Sequence, residues 1–525
     1  MLYKSENLKI NIDELVKTKP REAIIKKLRL NEEEVKNFTI LRRSQDARFH
    51  ESTGIYHVFH VSFEYPHPIK NPHVKPYRGE SPEAAPVFTP KNKPQAVIVG
   101  AGPAGLFAAL RLLEYGVTPL ILERGRDIPQ RAEDVKRFWE ERRLNPQSNV
   151  QFGLGGAGTF SDGKLMSRIK SPYTRQVARK FIQFGASPDI LYLGKPHLGT
   201  DRLRKIVAEM RDHILSCGGV FRFESQVTDL LLCEDKIQGV VINDNEEIPC
   251  TDVILAVGNG ARDTFEMLVK RGVAVIAKSF AVGVRVEHPQ EIIDRYTYGS
   301  YVGHPVLRPA EYQLTYKDSA SGRSVYSFCN CPGGLVVGAA SEEGGVAVNG
   351  MSFSGRSAAN ANSAIVVSVG EDDFPGKSPL AGVAYQRELE REAFVLGGEN
   401  YNAPVMNIAD FLGRTAMPAA QPTVKPGFTY ENLELCLPEY LTLTLQNALQ
   451  AFCGQIEGFD AGVMTAVETR TSSPVRIVRN ADTLQSTSTE GLFPAGEGAG
   501  YAGGIMSSAV DGMKAADYLM KKYNG

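Results

Sequence analysis

The chain has 525 residues, of which 42% are hydrophobic and 23% charged, values typical of a globular protein with two or three domains. Its 59 basic and 60 acidic side chains give a net charge of −1, which provides no general attraction to nucleic acid or to an acidic membrane surface. No apolar run is long enough for a membrane helix, the first residues lack a signal-peptide pattern, and seven scattered cysteines indicate reduced thiols, so we expect a cytoplasmic protein without a membrane partner.

Residues 1–65 are predicted to form a small α+β domain. Its predicted elements are a helix over 13–30 and strands over 8–12, 38–42 and 55–65. Pro20 is expected to bend or split the helix. Prolines then recur every few residues from 66 to 94, which predicts an extended, semi-rigid linker.

Two groups of residues in this first domain, its basic residues and its histidines, could bind RNA or a metal. Six basic residues could contact RNA: Lys26, Lys27, Arg29, Arg42, Arg43 and Arg48. We favour a solvated face, because no aromatic platform or RNA-binding signature accompanies them. The histidines match no metal-ligand spacing, and His57 and His60 point to opposite faces of a strand, so no metal site is expected.

The strongest motif lies in residues 95–125. A predicted buried strand runs into Gly100, Gly102 and Gly105, the spacing G-x-G-x-x-G, at the start of an apolar helix, and a second short strand ends in Glu123. This order is typical of a Rossmann-like dinucleotide site: the glycines allow a tight turn, close approach of a pyrophosphate and close helix packing. Free N–H groups of the helix N-terminus would face the phosphates, and Glu123 would accept the ribose hydroxyls. The neighbouring binding candidates are Ala101, Pro103 and Ala104.

A second glycine-rich segment, VQFGLGGAGTFSDGKL, spans residues 150–165. Backbone N–H groups of such a loop can converge on an anion or a planar ring. Apolar residues threaded through it argue against a flexible surface loop. Its binding candidates are Gly155, Gly156, Ser161 and Gly163, and it ends near Lys164, a candidate for charge stabilisation.

The remaining chain is predicted to complete this domain around an insertion. Residues 95–270 form the first part, with a strand meander over 220–248 and a return strand ending at Gly258. Residues 271–454 have the mixed strands and helices of an α+β substrate or cap domain. Residues 455–525 return to the first fold, with a strand running into Gly496 and Glu497. Gly503, Gly504, Ile505 and Met506 then begin a helix whose N-terminus is expected to face a ligand.

Two features of the middle domain have open interpretations. Cys329 and Cys331 flank Asn330 on one face of a predicted strand. We favour buried strand cysteines over a redox or catalytic pair, since C-x-C is not the usual C-x-x-C motif. Arg356 lies in a glycine- and serine-rich loop, where binding of an anionic substrate and an ordinary loop position are equally compatible with the sequence.

Together these motifs resemble the glutathione-reductase-like FAD superfamily. The resemblance assigns Gly100, Gly102, Gly105, Glu123 and Arg124 to the ADP half of FAD, Val227 to the adenine, Gly258 to the phosphate side, and Gly496 and Glu497 to the ribityl chain. The acid of the last motif is more often Asp in that superfamily. The segments GGAGTFSDGKL, SFCNCPGG, VETRTSSPVR and FPAGEGAGYAGGIMSSAVDG further resemble the poorly characterised group of FAD-dependent dehydrogenases.

The resemblance implies an FAD-dependent oxidoreductase that moves a hydride between flavin N5 and an organic substrate. The catalytic candidates are Lys164, Arg356, Cys329 and Cys331. No second strand–G-x-G-x-x-G–helix unit follows the first, so electrons could come from the substrate, from transiently docked NAD(P)H or from a protein carrier. The alternatives left open are a flavin monooxygenase or pigment/isoprenoid-type reductase, an FAD-containing RNA-modifying or RNA-binding protein, and a flavin protein without turnover.

Overall fold

The N-terminal domain is a four-stranded antiparallel sheet covered by two helices. The computed structural model describes residues 1–48, 50–79, 88, 93–166, 169–415 and 417–524. The strands lie in the order Lys36–Asp46, Tyr56–Glu64, Leu2–Asn11 and Val74–Pro76, and the helices are Ile12–Lys17 and Pro20–Leu28. The predicted helix is split in two at Pro20, whose ring begins a new helix at its first turn.

The predicted linker begins inside this domain. Val74–Pro76 pairs with the first strand, matching Ser5 with Val74 and Tyr3 with Pro76. The edge strand tolerates Pro76, because no strand on its outer side needs the N–H that proline lacks. The prolines at 82, 86 and 90 lie outside the described residues.

The dinucleotide domain is built on a five-stranded parallel sheet. Its strands lie in the order Leu492–Pro494, Asp252–Leu255, Ala96–Val99, Leu120–Leu122 and Val220–Arg222. The main helices of the domain are Pro103–Glu114, Ile128–Glu141, Tyr173–Gln183, Thr200–Ser216, Arg262–Lys270 and Ile505–Lys522. An antiparallel meander is formed by Val227–Cys233, Lys236–Ile242 and Glu246–Pro249. The carboxyl ends of the parallel strands meet at one edge, where open α/β sheets bind their ligands.

The cap domain contains a seven-stranded sheet. Its strands lie in the order Thr315–Lys317, Ser324–Cys331, Asn360–Val369, Phe280–Pro289, Val463–Glu468, Ala403–Asn407 and Phe428–Tyr430. Its main helices are Gln290–Tyr298, Ala381–Leu396 and Glu439–Cys453. The strand Val463–Glu468 belongs to the cap sheet although it follows the predicted domain boundary at 454. It pairs antiparallel with Phe280–Pro289 at the centre of that sheet. Two short ribbons pair Leu335–Gly338 with Val348–Met351, and Val275–Ala277 with Val475–Ile477.

A buried ion cluster joins the two larger domains. Arg262, at the start of a dinucleotide-domain helix, donates to both carboxylate oxygens of Glu390 on a cap helix, at 2.7 and 2.9 Å. Arg470 donates to the same carboxylate at 2.9 and 3.1 Å. Although burial opposes it, the charges of the two guanidinium groups hold the pKa of Glu390 well below its usual range. This cluster fixes the cap against the edge of the parallel sheet.

Over the described ranges, no helix combines the length and the apolar character needed to cross a membrane. The same part of the chain contains no group of three His, Cys, Asp or Glu side chains that could hold a metal ion.

Candidate functional site

A cavity of about 380 Å³ lies between the carboxyl edge of the parallel sheet and the cap domain. The predicted site residues on its wall are Gly100, Gly102, Pro103, Ala104, Glu123, Arg124, Gly156, Ser161, Gly163, Lys164, Val227, Gly258, Cys329, Glu497, Gly503, Gly504 and Ile505. The predicted residues away from the wall, all within the described ranges, are Ala101, Gly105, Gly155, Cys331, Arg356, Gly496 and Met506. Segments that are hundreds of residues apart in sequence therefore share one cavity.

The three motif glycines meet different surroundings. A Cβ at Gly105 would lie 1.9 Å from the carbonyl oxygen of Gly100, and one at Gly100 would lie 2.4 Å from that of Ala256. These two glycines thus allow close backbone packing. A Cβ at Gly102 would meet only Gly156 Cα, at 3.8 Å, and Gly102 faces the cavity. The space beside Gly102 fits a pyrophosphate that must approach the backbone closely.

The carboxylate of Glu123 ties three loops together. It accepts the Ala101 N–H at 2.8 Å on one oxygen, and the Gly125 and Gly153 N–H groups at 2.9 Å on the other. A carboxylate has about four acceptor positions, so one remains for a ribose hydroxyl. Glu123 is therefore a structural residue of the loop as well as a candidate ligand contact on the cavity wall.

Arg131 holds the second glycine-rich loop in place, a role that the sequence did not reveal. Its fully buried guanidinium donates to the carbonyl oxygens of Asn149, Val150, Gly153, Leu154 and Gly156. Burial lowers the pKa of Arg131 to about 9. The only signal in the sequence was an arginine on the helix that precedes the loop.

The opposite end of the dinucleotide wall carries Glu497. Burial raises the pKa of this carboxyl to about 7, although the charge of Lys278 and a 2.7 Å hydrogen bond from Asn259 act in the other direction. Gly503 and Gly504 follow, with no atom within 4 Å of a Cβ built on either. The N-terminus of the helix Ile505–Lys522 is therefore open to the cavity, where its free N–H groups favour negative charge.

Arg124 also lies on this wall, beside the adenine-end candidate Val227. Its guanidinium stacks over the Phe152 ring at 4.3 Å and pairs with Asp263. The resemblance placed it at the ADP half of FAD, and its position on the wall is compatible with that assignment.

On the cap side, Asp162 separates two of the predicted catalytic residues. Lys164 Nζ lies 3.0 Å from Asp162 Oδ2 and lines the cavity. Arg356 donates to the same oxygen at 2.6 Å, but it lies on the other side of Asp162 and lines a separate cavity of about 220 Å³ beside His197. Although burial opposes it, the Asp162 charge raises the pKa of Lys164. Arg356 thus contacts the main cavity only through Asp162.

Cys329 and Cys331 occupy an irregular end of their strand. The backbone of Cys329 is left-handed, with φ 49°, where the pairing with Asn360–Val369 shifts register. Cys329 lines the cavity, whereas Cys331 is fully buried. A register shift of this kind is a common way to redirect a side chain beside a functional site.

Two charged residues behind these cysteines were not predicted. Arg285, fully buried, donates to both oxygens of Glu468 at 3.1 and 3.2 Å, to the Cys329 carbonyl and, at 3.4 Å, to Cys331 Sγ. Burial raises the pKa of Glu468 to about 7 against the opposing charge of Arg285. Glu468 lines the cavity. The available signal was charge within two otherwise apolar strands: Arg285 and Glu287 in Phe280–Pro289, and Glu468 in Val463–Glu468.

Comparisons with known proteins agree with this geometry. A family model for an FAD binding domain matches residues 93–132, and one described as FAD-dependent protein, C-terminal domain-like, matches residues 279–471. An uncharacterized protein of Clostridium beijerinckii is 42% identical over 533 residues, covering 100% of this chain and 99% of that protein.

Two solved structures illustrate the more remote likenesses. The flavin-dependent brominase Bmp2 has a TM-score of 0.37 and 11% identity, covering 83% of this chain and 80% of its own. The L-amino acid deaminase from Proteus myxofaciens has a TM-score of 0.35 and 10% identity, covering 84% and 94%. Likenesses of this size do not bear on the reaction.

Proposed function

This chain belongs to the family of FAD-dependent proteins, and we propose that it is an oxidoreductase that transfers a hydride between FAD and an organic substrate bound against the cap wall of the cavity. The observation that carries the proposal is the union, in one cavity, of a glycine-lined dinucleotide wall, which also bears Lys164, and a cap wall that bears Cys329 and Glu468. When bound, FAD supplies the two-electron chemistry. The chain supplies binding, charge and a proton.

In this proposal the dinucleotide wall holds FAD along its length. The space beside Gly102 receives the pyrophosphate, the free acceptor position of Glu123 binds the ribose, and Val227 contacts the adenine. At the other end, Glu497 binds the ribityl chain. The open helix N-terminus at Gly504 would favour negative charge on the nearby edge of the ring.

The cavity wall provides two groups suited to an oxidoreductase reaction, Glu468 from the cap domain and Lys164 from the second glycine-rich loop. Glu468, with a pKa of about 7, exists in both protonation states near neutral pH and can therefore give or take a proton. Lys164, fixed by Asp162, keeps its ammonium charge and can stabilise an anion on the substrate. Perturbed acids beside a fixed cation are typical of catalytic sites.

The first experiment is an absorbance spectrum of the purified protein, followed by addition of NADH and then NADPH without oxygen. We expect flavin bands, and bleaching by one nucleotide would identify the electron donor. Bands that persist with both nucleotides would direct the search to an organic donor or a protein carrier. A protein that takes up no FAD, even on reconstitution, would contradict the proposal.

The role of Glu468 is tested by the pH profile of flavin reduction. Glu468→Gln removes the carboxyl that titrates near pH 7, so the profile should lose its inflection there while FAD stays bound. The matched control is Glu439→Gln, the same change at an exposed position on a cap helix. An unchanged inflection in Glu468→Gln would assign the titration to another group.

A further inference from the structure

We infer that Cys329 and Cys331 form a redox-active dithiol that exchanges two electrons with FAD held in the same cavity. The inference rests on the proposed function and adds a second redox centre to it. It also assigns the site an external redox partner, a thiol or a disulfide, which flavin binding alone does not require.

The geometry places Cys329 at the cavity wall and Cys331 in the core beside it. Cys329 is on the cavity wall, and its strand is irregular at that position. Cys331 is fully buried, and its thiol lies 3.5 Å from the Cys329 carbonyl oxygen. A wall cysteine with a buried neighbour two residues away is the arrangement needed for an attacking and a resolving thiol.

Two cations, Arg285 and Lys164, and two carboxyl groups, Asp162 and Glu468, lie near the pair. Arg285 reaches Cys331 Sγ at 3.4 Å and also donates to the Cys329 carbonyl. Lys164 contributes a further positive charge from the same cavity wall. The neighbouring Cys331 side chain and the charges of Arg285 and Lys164 lower the pKa of Cys329, although burial and Asp162 act in the other direction, whereas the pKa of Cys331 is raised. A thiolate beside fixed cations is the reactive form of a cysteine.

In two other buried cysteines the pKa of the thiol is raised and not lowered. Burial raises the pKa of both Cys250 and Cys436 to about 12. Cys436 hydrogen-bonds the Leu433 carbonyl of its own turn. These two behave as ordinary packed thiols. The explanation that Cys329 is merely a core residue therefore accounts for neither its cavity position nor its charged surroundings.

The redox step balances in atoms and charge. The Cys329 thiolate and the Cys331 thiol form one sulfur–sulfur bond, and the Cys331 S–H bond breaks. Two electrons and one proton leave the pair, and oxidised FAD accepts all three. In the opposite direction, reduced FAD returns them and the disulfide opens. An external thiol or disulfide would exchange with Cys329, the cysteine of the pair that lines the cavity.

The test uses full-length, FAD-loaded protein in three forms: wild type, Cys331→Ser and the control Cys436→Ser. Each is oxidised with diamide, freed of reagent and titrated with dithionite without oxygen. We expect the wild type and the control to take up two more electrons per FAD than Cys331→Ser. Mass spectrometry of the wild-type tryptic peptide 324–356, alkylated after denaturation, provides a readout that needs no variant.

The outcomes separate the two proposals. The inference predicts that this peptide is two hydrogens lighter after diamide and carries two alkylated thiols once the flavin is fully reduced. Two free thiols after diamide, or a disulfide that survives complete flavin reduction, would overturn it while leaving the oxidoreductase proposal intact. Protein that binds no FAD at all would overturn both.

Discussion

Gly102→Val should separate FAD binding from folding. The backbone of Gly102 has φ −74° and ψ −175°, a conformation that valine adopts freely, and a Cβ there meets no atom closer than 3.8 Å. The fold should therefore accept the side chain. Its methyl groups would instead occupy the space assigned to the pyrophosphate. Overpacking of this kind costs about 1–3 kcal/mol, equivalent to about 5- to 150-fold weaker FAD binding.

The assay is a fluorescence titration of deflavinated protein with FAD, paired with urea denaturation of the FAD-free form. Substitutions at two other glycines serve as comparisons for both measurements. Gly355→Val makes the same change at an exposed position away from the cavity and should alter neither quantity. Gly105→Ala forces a Cβ to within 1.9 Å of the Gly100 oxygen and should lower both stability and binding. Wild-type affinity in Gly102→Val would refute the placement of the pyrophosphate.

Two further predictions concern buried charges. Glu390→Gln leaves the buried side chain of Arg470 without its carboxylate partner and Arg262 paired with Glu342 alone, and it should lower the free energy of unfolding by about 3–5 kcal/mol. Glu388→Gln on the exposed face of the same helix should have little effect, and equal stabilities in urea would contradict this reading of the domain interface. Burial raises the pKa of Glu497 from 4.5 to about 7, so this carboxyl alone contributes a negative slope to the unfolding free energy of FAD-free protein between about pH 4.5 and about pH 7. Glu497→Gln should reduce that slope by one proton, about 1.4 kcal/mol per pH unit, and a slope unchanged by the substitution would show that this carboxyl does not titrate there.

Local patterns in the sequence predicted the elements of the dinucleotide domain closely. The buried strand and the apolar helix after it correspond to Ala96–Val99 and Pro103–Glu114. Hydrophobic periodicity and glycine spacing are properties of neighbouring residues, so one sequence suffices to find them. The position of Val463–Glu468 was missed because its partner strand, Phe280–Pro289, lies far away in the chain. Pairing over such distances leaves no local pattern.

The site was predictable where backbone atoms form it and less so where side chains do. Gly102 and Gly504 lie on the cavity wall, as the motifs indicated. The position of Arg356 could not be derived, because its partner Asp162 comes from a loop almost two hundred residues earlier. Glu468 and Arg285 were missed for the same reason: the sequence shows each charge but not the other charge that makes it tolerable in the core.

The proposed dithiol would link electron transfer to the protonation of two carboxyls that line the cavity, Glu468 and Glu497. The Cys329 thiolate contributes to the raised pKa of both Glu468 and Glu497, in each case after the larger effect of burial. Oxidation of Cys329 to a disulfide removes that negative charge, so the pKa of each carboxyl should fall. Both acids titrate near pH 7, where a small downward shift releases protons. If the dithiol forms, its oxidation therefore leaves a larger fraction of the two carboxyls ionised near pH 7, although each carboxylate becomes a weaker base.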